Sequence, residues 1–477
     1  MPLLAKNVTH LVLAIAAILI LGTVVLIAIA IARRLQRDSH FRRLDALRQE
    51  YGPTLADLLT GQLDYRAGLE TLRRIGGWNR LYWLKRLCLD TAPTPAQLPI
   101  LRRLSEDLGL VEAWQRDLGG RFHEESFRDS LSRPGGLLRR IGPLSFLVRA
   151  DSAENLRLVR HTASWPLLVE ALDDPHPDVQ KVAARALACL REPESFPALV
   201  AELHAKVAAP ASTQLSLRSV KAALVSFPLR QAVDLLPSLQ HSHPRVRFLA
   251  TDIIREMVER EASSRADFVL APNVFPPELT EIFLARLWWD ENPDVRARAA
   301  PVISYLPKGA HSRTLPTTVV LIALLNDSQW FVRLHAVRAL AKPRYAAKAS
   351  EIAERLTDPN WRVREAAVRT LVMLGHEGLD RLLEHLVSTD DRYSQEQIVE
   401  EMERTGVIHT LLADYAKGSG ARVGRAIDKL VSMGKTSHLM AILQNGAAEP
   451  VRARFLEDFG HHPDPQIQDW VKATAKD

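Results

Sequence analysis

Two short histidine clusters are where this chain could hold a metal ion: His241-Ser242-His243 and His461-His462-Pro463-Asp464. A closed site needs about four ligands. No cysteine or carboxylate set completes either cluster, and the two cysteines, Cys88 and Cys189, are too few for a disulfide framework. Both clusters fall in expected turns and read as solvated turn histidines, so no metal and no cofactor is expected. Phosphate chemistry would call for a glycine-rich loop, acyl transfer for a Gly-x-Ser-x-Gly elbow, and a zinc hydrolase for paired helical histidines. None occurs at useful spacing. Dispersed Ser, His and Asp residues identify no triad, because triads are defined by geometry, and no catalytic residue is assigned.

Other residues point to binding. Trp330, Trp361 and the pair Trp288-Trp289 could anchor an interface. Trp330 and Trp361 recur at equivalent positions, which favours packing between neighbouring units. Arg338 and Arg369 also recur, six residues after a valine. Their phase points off the core face, leaving two readings: a solvated charged face or a binding role on a concave surface. Arg33, Arg34, Arg37, Arg42 and Arg43 follow an apolar run and suit both a topology signal and contact with anionic lipid.

The elements that must position these residues show in one repeated pattern. Residues 327–340, from Asp327 through Trp330, Val332, Arg333, Ala336, Val337 and Arg338 to Leu340, return at 358–371. Eight of the fourteen positions are identical, at an offset of 31. A fixed offset of this size marks stacked modules, each burying its apolar face on its neighbours. Val363, Ala367 and Leu371 are four apart and share one helical face, as do Val332, Ala336 and Leu340. Asp358 before Pro359 is expected to cap that helix. Ile352 and Leu356 supply a preceding helix, giving helix, tight turn, helix.

This pattern resembles the HEAT repeat family, with its Asp-Pro-like turn followed by Val-Arg and a spaced Ala and Leu. The resemblance covers about 151–477 and implies an α-solenoid in which the turn Asp and the Arg after Val form a ladder between units. The matching residues are Asp327, Arg333, Asp358 and Arg364. Arg247 and Arg296 also follow the valine, whereas Gln180 replaces the arginine in the first unit. Successive valines at 179, 246, 295, 332 and 363 are 67, 49, 37 and 31 apart. The longest step leaves room for an unsignalled unit near 215–236, the next for an inserted loop at 261–278. Beyond 375 the motif fades, as an end cap should.

Residues 11–32 contain no charge. As a helix they would be ~33 Å long, enough for a hydrocarbon core of ~30 Å. The rival reading is a signal peptide cleaved near Ala28-Ile29-Ala30, but the run is longer than an h-region. The expectation is therefore an all-α chain: a tail at 1–10, a single transmembrane helix at 11–32, a basic helical region at 33–150 and a HEAT-like array at 151–477. Between 33 and 149 there are 21 Lys and Arg against 14 Asp and Glu, within a total net charge of +6. The rest of the chain is thus slightly acidic, unlike a uniformly basic nucleic-acid binder. Gly52-Pro53, Gly76-Gly77 and Arg133-Pro134-Gly135-Gly136 are expected breaks.

Together these features predict a single-pass membrane protein with its bulk in the cytoplasm, in a setting such as a bacterial inner membrane. Its expected partners are the lipid bilayer and an unidentified protein, such as a membrane enzyme or transporter. The expected role is that of a scaffold without chemistry of its own. The resemblance also leaves open an enzyme or lyase on a HEAT-like scaffold, and less readily a nucleic-acid-binding solenoid.

Overall fold

The computed structural model describes residues 2–76, 80–89, 93–120, 145–208, 216–263, 269–271, 273–307, 315–416, 420–445 and 448–474. Within these, the side chains of 2–18, 33, 36, 37, 40, 413–422 and 445 are not described. The described residues form helices and turns and no strand. The chain divides into two compact units, Met1–Phe227 and Pro228–Asp477.

The first unit begins with α1 (Pro2–Thr60), α2 (Tyr65–Arg73), α3 (Arg80–Leu89), α4 (Leu98–Asp107) and α5 (Leu110–Leu118). Helix α1 runs through the expected break at Gly52-Pro53, with Pro53 inside it. The lost hydrogen bond is offset by burial of Leu44, Leu55, Leu58 and Leu59 where α1 packs on α2 and α3. The expected break at 133–136 lies outside the described residues. Next come α6 (Phe146–Leu158), α7 (Trp165–Glu170), α8 (Pro177–Leu190), α9 (Phe196–Ala208) and α10 (Leu217–Ser226). Helices α6, α8 and α10 stack side by side. The long valine-to-valine step contains α9 and α10.

The membrane expectation is corrected here. Among the described residues no helix is long and apolar enough to cross a membrane. Described side chains in the apolar run begin at Leu19, leaving 19–32, ~21 Å of helix against a hydrocarbon core of ~30 Å. The side chains of 11–18 lie outside the description. From Leu19 to Ile31 the large apolar side chains are exposed, and the same helix continues into the packed turns around Leu44. The transmembrane helix, the lipid bilayer as partner and the single-pass, inner-membrane placement with a cytoplasmic bulk are therefore withdrawn. So is the membrane role of the arginines. Arg34, Arg42 and Arg43 are exposed; Arg42 Nε donates to Asp38 O, and the Arg43 guanidinium sits 5.4 Å from the Trp83 ring centre. The side chains of Arg33 and Arg37 lie outside the description.

The second unit alternates short first helices with longer second ones: α11 (Leu236–Leu239) and α12 (Pro244–Ala262), α13 (Pro277–Ala285) and α14 (Pro293–Ile303), α15 (Thr317–Leu325) and α16 (Trp330–Ala339). Then follow α17 (Ala349–Ala353) and α18 (Trp361–Met373), and α19 (His376–Ser388) and α20 (Arg392–Thr405). Helices α12, α14, α16, α18 and α20 pack in sequence. The Val, Ala and Leu or Ile positions four apart on α8, α12, α14, α16 and α18 are all buried. Each large one among them contributes about 1.5–3 kcal/mol. The chain remains helical past the point where the motif fades, through α21 (Val407–Ala416), α22 (Gly420–Ser432), α23 (Thr436–Asn445), α24 (Glu449–Phe459) and α25 (Pro465–Thr474).

Candidate interaction face

The turn preceding each second helix is built by polar side chains that satisfy orphan backbone groups. Asp178 N–H donates to His176 Nδ1, Arg245 N–H to His243 Nδ1, Asp294 N–H to Asn292 Oδ1 and Arg362 N–H to Asn360 Oδ1. The histidine clusters share this work: His241 Nδ1 accepts from His243 N–H, and His462 Nδ1 from Asp464 N–H. Among the described residues no group of three or more His, Cys, Asp and Glu could hold a metal ion. The cap of α18 is Asn360, where the sequence suggested Asp358. The Asp358 carboxylate instead accepts from the Asn360 N–H at 2.9 Å and from the arginine of the preceding unit.

That arginine belongs to a ladder. Arg247 donates through Nε and Nη2 to Asp290, both at 2.8 Å. Arg296 does the same to Asp327 at 2.7 and 2.9 Å, and Arg333 to Asp358 at 2.7 and 2.8 Å. The third guanidinium nitrogen of each donates to carbonyls of its own turn, such as His241 O and Ser242 O for Arg247. Arg364 keeps its turn bond, to Asp358 O at 2.7 Å, but faces no aspartate, since Thr389 stands where the next one would be. Its guanidinium lies 5.0 Å from the Tyr393 ring centre. Gln180 likewise keeps the turn bond, to Asp174 O. In the first unit Arg149 pairs with Asp174 at 2.6 and 3.0 Å. The sequence reading missed it, although Arg149 lies 31 residues before Gln180. Burial opposes ionisation of Asp358, yet the Arg333 bonds and the Asn360 N–H hold its carboxyl below the ordinary range.

A family model of HEAT repeats matches residues 137–217 and 317–403, one stretch in each compact unit and together less than half of the chain. No curated protein matches the sequence. Among solved structures, an engineered protein shares 18% identity over 86% of this chain and 99% of its own, at a TM-score of 0.29. The structure of Kap95p with RanGDP shares 10% over 92% and 67%, at 0.38. A microtubule polymerase structure with a tumour overexpressed gene domain array shares 13% over 69% and 90%, at 0.25. Likenesses this distant carry no argument about partners.

The second helices of the second unit present two clusters. In the first, Asp252 of α12 pairs with Arg255 and with Arg298 of α14, next to His335 and Arg338 of α16. Arg338 is exposed, without an ion pair among the described residues. Burial, followed by the charges of Arg298, Arg338 and Arg255 and opposed by Asp252, holds His335 down to about 4. The unfolded chain, whose histidine titrates near ~6.5, therefore takes up a proton that the folded chain refuses. Stability contributed by neutral His335 is full above ~6.5 and falls as pH drops from there to about 4. Thermal unfolding followed across this window should show that loss, and His335→Gln should flatten it; an unchanged slope in the variant would remove His335 as the cause.

In the second cluster, Trp361 of α18 and Tyr393 of α20 are 49% and 56% exposed and stand 32 residues apart. Arg362 lies 5.3 Å from the Trp361 ring centre and 5.4 Å from that of Trp330, joining neighbouring units. A groove of about 310 Å³ opens between the two helices, lined by Glu365, Arg369, Gln397, Glu400, Glu401 and Arg404 as well as both aromatics. Arg369 is shared between Glu365 at 2.6 Å and Glu401 at 3.3 Å, and Arg404 also binds Glu401. The two recurrent arginines are thus placed differently: Arg369 inside a charge network, Arg338 exposed beside the half-buried His335.

Proposed function

We infer that this chain is a non-catalytic scaffold whose stacked helix pairs hold a protein partner. The observation that carries the reading is the exposure of Trp361 and Tyr393 on successive second helices, which the Arg369–Glu401 ion pair and the bond from Gln397 Nε2 to Trp361 O tie together. Large aromatics left half-exposed on a rigid support suit a protein interface, since Trp and Tyr dominate binding hot spots. These links, with the Arg333–Asp358 rung that holds the turn before α18, supply preorganisation, so little ordering entropy is lost on docking. The arrangement acts by holding and positioning, with no reacting group required.

A photo-crosslinking amino acid at Arg338, Trp361 or Gln397 of the full chain, expressed in its own cells, is expected to capture one and the same protein. That protein, purified, should bind the purified chain. Absence of any such protein at all three positions, or turnover of a substrate by the purified chain, would overturn the reading.

A further inference from the structure

Resting on the scaffold reading, the cluster on α12, α14 and α16 names the kind of partner. Arg338 and Arg369 hold the same place on α16 and α18, yet only Arg369 is neutralised. Its carboxylates are Glu365, four residues before it, and Glu401 on the next second helix. Leu334 and Thr370 stand in the matching positions around Arg338. Arg338 is exposed and makes no hydrogen bond or ion pair among the described residues. His335 lies three residues before it, a neighbour on the same helix face. Its half-buried imidazole is likewise without a hydrogen bond among the described residues. Arg298 occupies on α14 the position that His335 has on α16, and the two helices pack together.

The charges facing this spot leave a positive remainder. Helix α16 carries no acidic residue, and α14 carries only Asp294, in its first turn. Helix α15, which packs on α16, has no charged residue. On α12, Glu256 and Glu259 lie further along the helix and are taken up by Arg255. Asp252 is shared between Arg255 and Arg298, at 2.8 and 3.2 Å. On α18, Glu365 is held by Arg369 at 2.6 Å. His335 registers the balance: Arg298, Arg338 and Arg255 disfavour its protonation and Asp252 opposes them. One surplus guanidinium beside an unpartnered imidazole matches a single carboxylate. A nucleic-acid backbone needs a continuous basic track, and here it would cross Asp252 and Glu365.

We propose that Arg338 and His335, with Arg298 beside them, receive an aspartate or glutamate side chain of the partner protein. The Arg338 fork donates two N–H bonds to the carboxylate, and the imidazole adds a third once it takes up a proton. A carboxylate against the ring favours its charged form, so the histidine titrates higher in the complex than the value of about 4 it has in the free chain. Docking therefore takes up a proton, and affinity rises as pH falls.

The test uses the full chain and a fluorescein-labelled peptide of glutamate alternating with serine and glycine, beside a counterpart with glutamine for glutamate, read by fluorescence anisotropy. The glutamate peptide should bind and the glutamine one should not. Its affinity should rise several-fold from pH ~7.5 to ~5.5, a window in which glutamate, near ~4.3, stays ionised. Arg338→Gln should weaken binding about tenfold, the worth of a charge-assisted hydrogen bond. The side chain is exposed, so thermal unfolding should be unchanged, which separates lost binding from lost fold. His335→Gln should bind like the native chain at the upper pH and lose the rise below it. No binding of the glutamate peptide, equal binding of the glutamine one, native affinity in Arg338→Gln, or a rise that survives in His335→Gln would overturn the proposal. So would tighter binding of a single-stranded oligonucleotide of equal charge. If cells yield one crosslinked partner while the glutamate peptide fails, the carboxylate site falls and the scaffold stands. If neither is seen, both fall.

Discussion

Arg247→Met is expected to lower the stability of the second unit by about 3–5 kcal/mol, the cost of leaving a buried charge without its partner. The side chains of Arg247 and Asp290 are only 9% and 3% exposed. Removing the guanidinium strips Asp290 of two bonds at 2.8 Å and leaves His241 O and Ser242 O without their donor. Water has little access to take over. Replacing both partners, Arg247→Met with Asp290→Leu, should recover much of the loss, because the pair repays its own desolvation and little more. The other rungs should follow their surroundings. Arg333→Met and Arg296→Met remove similar bonds from slightly more exposed arginines. Arg364→Met, which breaks no ion pair, should cost about 1 kcal/mol, the worth of an ordinary hydrogen bond. Stacked units unfold in stages, so the measurement is hydrogen-exchange protection in α12 and α14 alongside the urea midpoint. Equal losses at all four arginines, or a double variant no better than Arg247→Met, would rule this account out.

Much of the fold is legible because burial in a helix pair imposes a spacing. On the second helices α8, α12, α14, α16 and α18 the repeated valine and the small and large apolar residues four and eight positions after it are all buried. Past 375 the same face persists with altered residues: Ser394, Ile398 and Met402 are buried on α20 at those positions. A search for residue types loses the unit there, while a search for spacing keeps it. The groove residues Tyr393, Gln397 and Glu401 escape a reading by residue type for this reason: at the offset of 31 they stand where α18 has Arg362, Ala366 and Thr370. The expectation that the recurrent tryptophans pack between units fails on phase for Trp361, while Trp330 does meet Arg362 of the next unit. Trp361 stands two residues before Val363, about 200° around the helix from the buried stripe, so its ring emerges at the surface while Arg362 makes the contact with the neighbouring unit. The Asp358 cap went wrong because capping was read locally, whereas the carboxylate is claimed by Arg333, 25 residues upstream. Helix spacing is written in neighbouring residues; which side chain a distant arginine claims is not.

Gly378→Ala is expected to destabilise the second unit by about 3 kcal/mol or more, at or beyond the upper end for overpacking. Gly378 lies in the first turn of α19, against the last turn of α18. A Cβ there would stand 1.9 Å from Leu371 O, 2.7 Å from its carbonyl carbon and 3.0 Å from its Cα. All three are backbone atoms, so no rotamer change relieves the collision and one helix must move off the other. The preceding turn is equally constrained. Gly375 has φ +71° and ψ −140°, a region open essentially to glycine alone, and alanine there should cost about 1–3 kcal/mol through local strain. The two substitutions differ in reach. Nothing lies within 4 Å of a Cβ at 375, so that strain stays in the turn, whereas the Gly378 collision displaces α18, which carries Trp361, Glu365 and Arg369. Gly378→Ala should therefore also lower hydrogen-exchange protection in α18, and Gly375→Ala should leave it unchanged. Gly424→Ala is the control: a Cβ there meets nothing within 4 Å inside α22, so helix propensity should stabilise it by up to about 1 kcal/mol. Thermal unfolding of the three variants decides the matter. If Gly378→Ala melts with the native chain, α18 and α19 are not packed backbone to backbone, and the aromatic pair Trp361 and Tyr393 loses its rigid support.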